Sequence, residues 1–398
     1  MNTDMVAPAA CGFPEAPFRA GRGSLPGMTT VQDLCAALES IAPTAHAADW
    51  DNVGLLVGRR DAKVGHVLLT IDLTSDVLAE AVASGADAIV SYHPPIFSPL
   101  KRLDDSTETG RLMLGLIGAG ISVYSPHTAL DAAPDGMTEW LASAIGDGEF
   151  SPLECARQSR PGEANKIVTY VPSEHVNTVR MAMAAAGAGV IGDYTHCSTA
   201  IENQGTFFGG DSTSPAAGEA GKLEHVSEQR LMMVSSDAAL AGSIAALRDA
   251  HPYEEPPVHV IPLASHPIHD SGMGRVVRLA NAQTTADIVT RLKSSLGVDH
   301  LRVADGGVES HSVVACCPGA GGSLVDTARA AGATLFVTGE MRHHDVLAAK
   351  ASGMTIMLAG HTNTERGYLP ALRDRVASMM PDCDVTVSIS DETPWSVQ

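Results

Sequence analysis

The chain has 398 residues, with 46 acidic against 26 basic side chains, a formal net charge of -20, 44% apolar residues and only 4% aromatics. That length gives two or three domains with substantial cores, and the composition is that of an ordinary soluble α/β protein. The negative field opposes phosphate backbones and anionic lipid, and no apolar run approaches the roughly 18 residues of a membrane span, so nucleic acid and membrane are excluded as expected partners. Residues 1–27 are rich in Ala, Gly and Pro, and Arg19 and Arg22 are offset by Asp4 and Glu15. Without an apolar stretch this is no secretory signal. It reads as a disordered N-terminal extension on a cytoplasmic protein, a mitochondrial address being the alternative.

From Thr29 the pattern is helical, Val31, Leu34, Leu38 and Ile41 recurring at three- and four-residue spacing. Asp49-Trp50-Asp51-Asn52 then forms a turn that runs into the apolar strand Val53 to Val57. Strand His66 to Asp72, helix Ser75 to Ser84 and strand Ala86 to Ser91 follow, the last ending in Tyr92-His93-Pro94-Pro95-Ile96-Phe97. A helix after the charged segment Lys101 to Thr109 leads to strand Ile121 to Tyr124 and to Ser125-Pro126-His127-Thr128-Ala129-Leu130-Asp131. Strands alternating with helices predict βαβ units and a mainly parallel sheet. Functional groups of such sheets gather past the C-terminal strand ends, where His93, His127 and Asp131 fall.

Residues 165–264 read differently: strand Lys166 to Val171, helix Ser173 to Ala186, irregular strands to Phe208, a Gly/Ser/Pro stretch, strand Leu231 to Ser235, helix Ala238 to Ala250 and strand Val258 to Leu263. The β-α-β-β-α-β order predicts an inserted ferredoxin-like α+β domain. Its Gly187-Ala188-Gly189-Val190-Ile191-Gly192 matches a dinucleotide fingerprint as a string, but it follows a helix and opens none, so it is read as a turn.

The C-terminal part repeats the first plan. Gly85-Ala86-Asp87-Ala88-Ile89-Val90 aligns with Gly332-Ala333-Thr334-Leu335-Phe336-Val337 at an offset of 332 − 85 = 247, and Val67 to Ile71 falls on Val314 to Pro318 without a gap. His127-Thr128 then lines up with His361-Thr362. The expectation is two related α/β half-domains, 28–160 and 270–398, whose strand ends meet at one cleft.

In that cleft His93, His127, Asp131, His361 and Glu365 supply imidazole nitrogens and carboxylate oxygens, the donor set of zinc, iron or manganese. His361 and Glu365, four residues apart at a strand-to-helix turn, can lean toward one point. Thr362-Asn363-Thr364-Glu365 also matches a capping box, in which Glu365 would only cap a helix over Asn363 to Met379. His127 is either a ligand or a group that holds one in place. Such a set carries one or two divalent ions and metal-assisted hydrolysis. Glu340 and His344, in Gly339-Glu340-Met341-Arg342-His343-His344, are candidate acid/base groups or a solvated helix start. Seven scattered cysteines form no C-x-x-C pair and read as reduced thiols. Neither a nucleophile elbow nor a P-loop is present.

With Asp51-Asn52-Val53-Gly54-Leu55, Tyr92-His93-Pro94-Pro95-Ile96-Phe97, Ser125-Pro126-His127-Thr128-Ala129-Leu130-Asp131, Thr338-Gly339-Glu340 and Gly360-His361-Thr362-Asn363-Thr364-Glu365-Arg366-Gly367 in hand, the chain after Met28 resembles the NIF-three-like family, whose bacterial members are often named GTP cyclohydrolase 1 type 2 homologues. The resemblance implies a dinuclear zinc or iron site with His93, Asp131, His361 and Glu365 as ligands, Glu365 bridging, in a ring-shaped homohexamer built as a trimer of dimers. Tyr92 departs from it: many bacterial members have a second His there, as eukaryotic-type members do not, and a phenol is a poor ligand unless ionised. The insert, with His251-Pro252-Tyr253-Glu254-Glu255-Pro256, looks like the family's PII-like or CutA-like domain. The resemblance implies hydrolysis of a small nucleotide or phosphorylated substrate, or a metal-binding scaffold acting through protein partners.

Overall fold

Apolar runs buried on both faces become parallel strands, and the helices between them cover those faces. The computed structural model describes residues 29–158 and 162–395, so the expectation for residues 1–27 lies outside the described residues. In chain order the elements are α1 (Val31–Ile41), β1 (Gly54–Val57), β2 (His66–Thr70), α2 (Ser75–Ser84), β3 (Ala88–Ser91), α3 (Glu108–Ala119), β4 (Ser122–Ser125), α4 (His127–Ala132), α5 (Met137–Ile145) and β5 (Gly148–Gln158). There follow β6 (Asn165–Pro172), α6 (Val176–Ala185), β7 (Thr199–Phe208), β8 (Leu223–Ser235), α7 (Asp237–Ala250) and β9 (Val258–Pro262). The remainder is β10 (His266–Thr284), α8 (Thr285–Leu296), β11 (Arg302–Ala304), β12 (Ser310–Cys317), α9 (Val325–Ala330), β13 (Leu335–Thr338), α10 (His343–Ala351), β14 (Thr355–Leu358), α11 (Leu369–Met379) and β15 (Asp384–Val387).

Two compact units result, one from the residues before 157 together with those after 268, the other from residues 157–268. In the first unit one sheet has the order β1-β4-β3-β2-β15 and a second the order β11-β14-β13-β12-β10-β5. β2, β3 and β4 are parallel, as are β12, β13 and β14, and β1 and β11 each close their set antiparallel. In the first sheet Leu68, Ile89 and Val123 pack under α2 and α3, and Val67, Leu69 and Val90 face α1 and α11. In the second, Val314, Leu335 and Met357 meet α5 and α8, while Ala315, Phe336 and Ile356 meet α9 and α10.

Charged side chains also lie inside this unit. Arg275 on β10 has no exposed surface. Its Nε donates to Glu139 Oε1 at 2.9 Å, Nη1 to the carbonyls of Gly272 and Gly274, and Nη2 to those of Ala132 and Ala133 at 3.2 and 3.1 Å. The guanidinium thereby satisfies its buried donors and fixes the C-terminal end of α4, next to Asp131.

The second unit is a four-stranded antiparallel sheet in the order β7-β8-β6-β9, with α6 and α7 contributing Val179, Met183 and Leu247 to its core. β8 starts at Leu223, eight residues before the Leu231 expected from its apolar run. The added part alternates with exposed side chains and exists because β7 pairs with it from Thr199 to Phe208. The helix expected from Ser173 opens with a 3-10 turn, Ser173–His175, before α6. The helix expected from Asn363 begins only at Leu369, after two 3-10 turns, Thr362–Thr364 and Arg366–Tyr368.

Candidate metal centre

The C-terminal ends of β3, β4, β12, β13 and β14 deliver the polar residues of the first unit. Past β3 the backbone N–H groups of Tyr92 and His93 still pair with the carbonyls of Thr70 and Ile71, at 2.9 and 3.0 Å, so His93 leaves the sheet in a fixed direction. Past β14 the 3-10 turn is tied by Thr364 Oγ1 donating to the His361 carbonyl and Asn363 Nδ2 to the Ala359 carbonyl. That turn, and not an α-helical one, carries His361 and Glu365 to one point. Glu365 does not cap a helix; its side chain is 2% exposed and faces the two histidines.

His93, His361 and Glu365 form a cluster whose ligand atoms all lie within 4.8 Å of one another. His361 Nε2 is 3.4 Å from Glu365 Oε1, and His93 Nε2 is 3.7 Å from Glu365 Oε2. Each imidazole is held from behind by a carboxylate: His93 Nδ1 by Asp72 Oδ1 at 2.8 Å, and His361 Nδ1 by Glu340 Oε1 at 3.0 Å. His127, whose ring centre is 5.4 Å from that of His93, repeats the arrangement, its Nδ1 lying 2.7 Å from Asp51 Oδ1. A carboxylate on Nδ1 fixes that nitrogen as the protonated one and turns the lone pair of Nε2 inward. Asp51 also accepts from the backbone N–H and hydroxyl of Thr128, which holds His127 in the left-handed region at φ +29.

The electrostatics are those of a site short of positive charge. Burial raises the Asp131 carboxyl from 3.8 to about 7, against the lowering effect of the Tyr92 hydrogen bond. Burial alone would lower His93; in the metal-free chain the carboxylates of Asp72 and Glu365 override it and hold the imidazolium up to about 10, so a cation at Nε2 would take the place of a proton. Burial pushes Asp51 and Asp72 up, but the hydrogen bonds and positive charges around them, those of His127 with Thr128 and of His93 with Arg366, together hold both below the usual carboxylate range.

Two observations test whether these residues fit a cation. Glu365 Oε2 is buried without a hydrogen-bond partner, which an apo carboxylate tolerates poorly. Gly319 stands at φ +60 against the cluster, and a Cβ there would lie 2.7 Å from Glu365 Oε1 and 3.0 Å from His361 Nε2. The space in front of the donors is thus kept open by the lack of a side chain. Two imidazoles and a carboxylate with open positions are the donor set of a catalytic zinc-type or iron-type site.

Of the residues expected from sequence, His93, His361 and Glu365 come together. Asp131 lies outside that three-residue group; it is buried, and Tyr92 Oη donates to its Oδ1 at 2.7 Å. Glu340 is at the site as the partner of His361, whereas His344 is exposed at the start of α10, its ring against that of His343. Asp51, Asp72 and Gly319 were not foreseen. The available signal was an acid or a glycine placed just past a strand end or in the turn beside one.

The fold and this histidine–carboxylate cluster define a mixed α/β protein with a candidate cation site at its strand ends. The model of the Duf34/NIF3 (NGG1p interacting factor 3) family matches residues 29–394, and the chain belongs to that family. It is 32% identical to the GTP cyclohydrolase 1 type 2 homolog of Bacillus subtilis, over 92% of this chain and 98% of that one. It is 33% identical to the human NIF3-like protein 1, over 92% of this chain and 91% of that one. Among solved structures it is similar to a Bacillus cereus protein related to NIF3, at TM-score 0.61 and 30% identity over 93% of this chain and all of that one. A Staphylococcus aureus protein matches at TM-score 0.72 and 25% identity, over 93% of this chain and 99% of that one. No helix among the described residues is long and apolar enough to cross a membrane.

Proposed function

We propose that the chain is a divalent-metal-dependent hydrolase of a small nucleotide or phosphorylated substrate. The observation that carries this reading is the buried Glu365 carboxylate, its Oε2 without a hydrogen-bond partner, with His93 Nε2 facing Oε2 and His361 Nε2 facing Oε1. His93, His361 and Glu365 would hold the ion, and Asp131 together with Glu365 would serve a second, weaker position. A divalent zinc, iron or manganese ion supplies Lewis acidity toward water and toward a phosphoryl or carbonyl oxygen. The chain's own contribution is orientation: Asp72 and Glu340 keep the proton on Nδ1 of their histidines and so keep Nε2 free. Glu340, exposed beside His361, can take up a proton released in the cleft.

The names of the bacterial relatives favour a cyclohydrolase-like reaction. The family's description as an interacting factor favours a second reading, a metal-binding scaffold that works through protein partners. The same strand order in β1-β4-β3-β2 and β11-β14-β13-β12 supports two related half-domains, 28–160 and 270–398, and the β7-β8-β6-β9 order supports a ferredoxin-like, PII-like insert at 165–264. We place the protein in the cytoplasm as a hexameric trimer of dimers, and its charge of -20 speaks against nucleic acid as a partner.

Elemental analysis of protein purified without added metal, paired with turnover on a nucleotide panel, tests the reading. His361→Ala is expected to lose both the metal and any turnover. Metal retained by wild type with no turnover on any substrate favours the scaffold, and wild type without metal overturns both.

A further inference from the structure

The His251-Pro252-Tyr253-Glu254-Glu255-Pro256 segment plays no part in the cation site of the first unit. In the second unit it forms one wall of a cavity of about 560 Å³, the size range of small-molecule sites. His251 itself is structural: its Nδ1 accepts from the Tyr253 backbone N–H at 3.1 Å, and its Nε2 lies 3.0 Å from the Tyr170 carbonyl. Burial lowers its pKa, so it stays neutral and offers no countercharge. Its turn aims the Tyr253 phenol at Glu228 Oε1, 2.7 Å away. Glu228 is 7% exposed, and none of the ion pairs among the described residues includes it. Gly205, on the neighbouring strand β7, leaves room for this carboxylate: a Cβ there would lie 2.4 Å from Glu228 Oε2.

Tyr170, Phe207, Phe208, Glu254 and Glu255 also line the cavity, together with Asn203, Thr206 and residues of the 209–217 loop, and no lysine or arginine does. A carboxylate this buried calls for a positive partner, and aromatic faces attract the same charge. Glu228, Glu254 and Glu255 do not converge as metal ligands do, since the only such cluster among the described residues is that of His93, His361 and Glu365. We propose that this cavity binds an organic cation, an ammonium or guanidinium group on an apolar body, with Glu228 as its counterion and the aromatic side chains of Tyr170 and Phe207 beside it.

Calorimetric titration of the full-length protein with agmatine, choline and benzylammonium, against benzyl alcohol and benzoate as neutral and anionic counterparts, tests this. The expected result is saturable binding of at least one cation, one per chain, with no binding of benzoate. Glu228→Gln should weaken it about tenfold or more, the scale of a charge-assisted contact, and His361→Ala should leave it unchanged. Should Glu228→Gln fail to fold, Glu255→Gln at an exposed position is expected to weaken it measurably. Failure of all three cations to bind, equal binding of benzoate, or an affinity unmoved by either glutamate variant overturns the assignment.

Discussion

The Tyr92 phenol, 2% exposed, donates to Asp131 Oδ1, and burial together with the carboxylate raises its pKa, so in the metal-free chain it stays a neutral phenol. One oxygen of Asp131 is therefore committed to a hydrogen bond, and the chain lacks a nitrogen donor at this position. Tyr92→His restores an imidazole beside Asp131, and elemental analysis is expected to find the metal rising from about one ion per chain toward two. An unchanged ratio would mean that another group already completes the second position. Asp131 makes a separate prediction. Its folded pKa of about 7 stands above the unfolded value near 3.8. The folded, metal-free chain therefore gains from the neutral carboxyl below pH 4 and loses that gain as pH rises through 7. Asp131→Asn cannot ionise. After chelation of metal, it should melt with wild type near pH 4 and several degrees above it at pH 8, as followed by circular dichroism.

At the scale of elements, the parallel strands were legible because burial on both faces leaves unbroken apolar runs such as Val67 to Leu69, all at most 1% exposed. Helix α2 was legible from its cap, Thr74 Oγ1 accepting from the Val77 N–H. The turn after β14 was not. Thr362 to Glu365 spells a cap in local terms, and the Glu365 carboxylate instead faces His361 of its own turn and His93, which a different strand delivers. The carboxylates behind the histidines were hidden for the same reason: Asp51 lies 76 positions from His127 and Asp72 lies 21 from His93. The first eight residues of β8 carry too little apolar character to announce a strand without β7 beside them. The α4 segment depends on another element in a way that can be tested. Arg275→Met leaves four buried carbonyls and Glu139 without their donor, and loss of about 3–5 kcal/mol in denaturant unfolding is expected. Near-wild-type stability would show that the interior repacks.

At the scale of the whole molecule, the two units bear different chemistry: nitrogen and oxygen donors at strand ends in one, aromatic side chains beside a carboxylate in the other. The order in which the chain is made bears on the first of these. β15 lies parallel to β2, pairing Asp384 with His66 through Val387 with Leu69, and Asp391 Oδ2 then accepts the Ile71 N–H at 2.7 Å. The sheet that β2 belongs to is thus finished by a segment made some three hundred residues later. Throughout synthesis β2 presents an open margin, and Asp72 and His93 wait for counterparts that have yet to emerge. A nascent chain stalled before Asp384 would carry every donor of the cluster and still have an unprotected border for chaperones to shield.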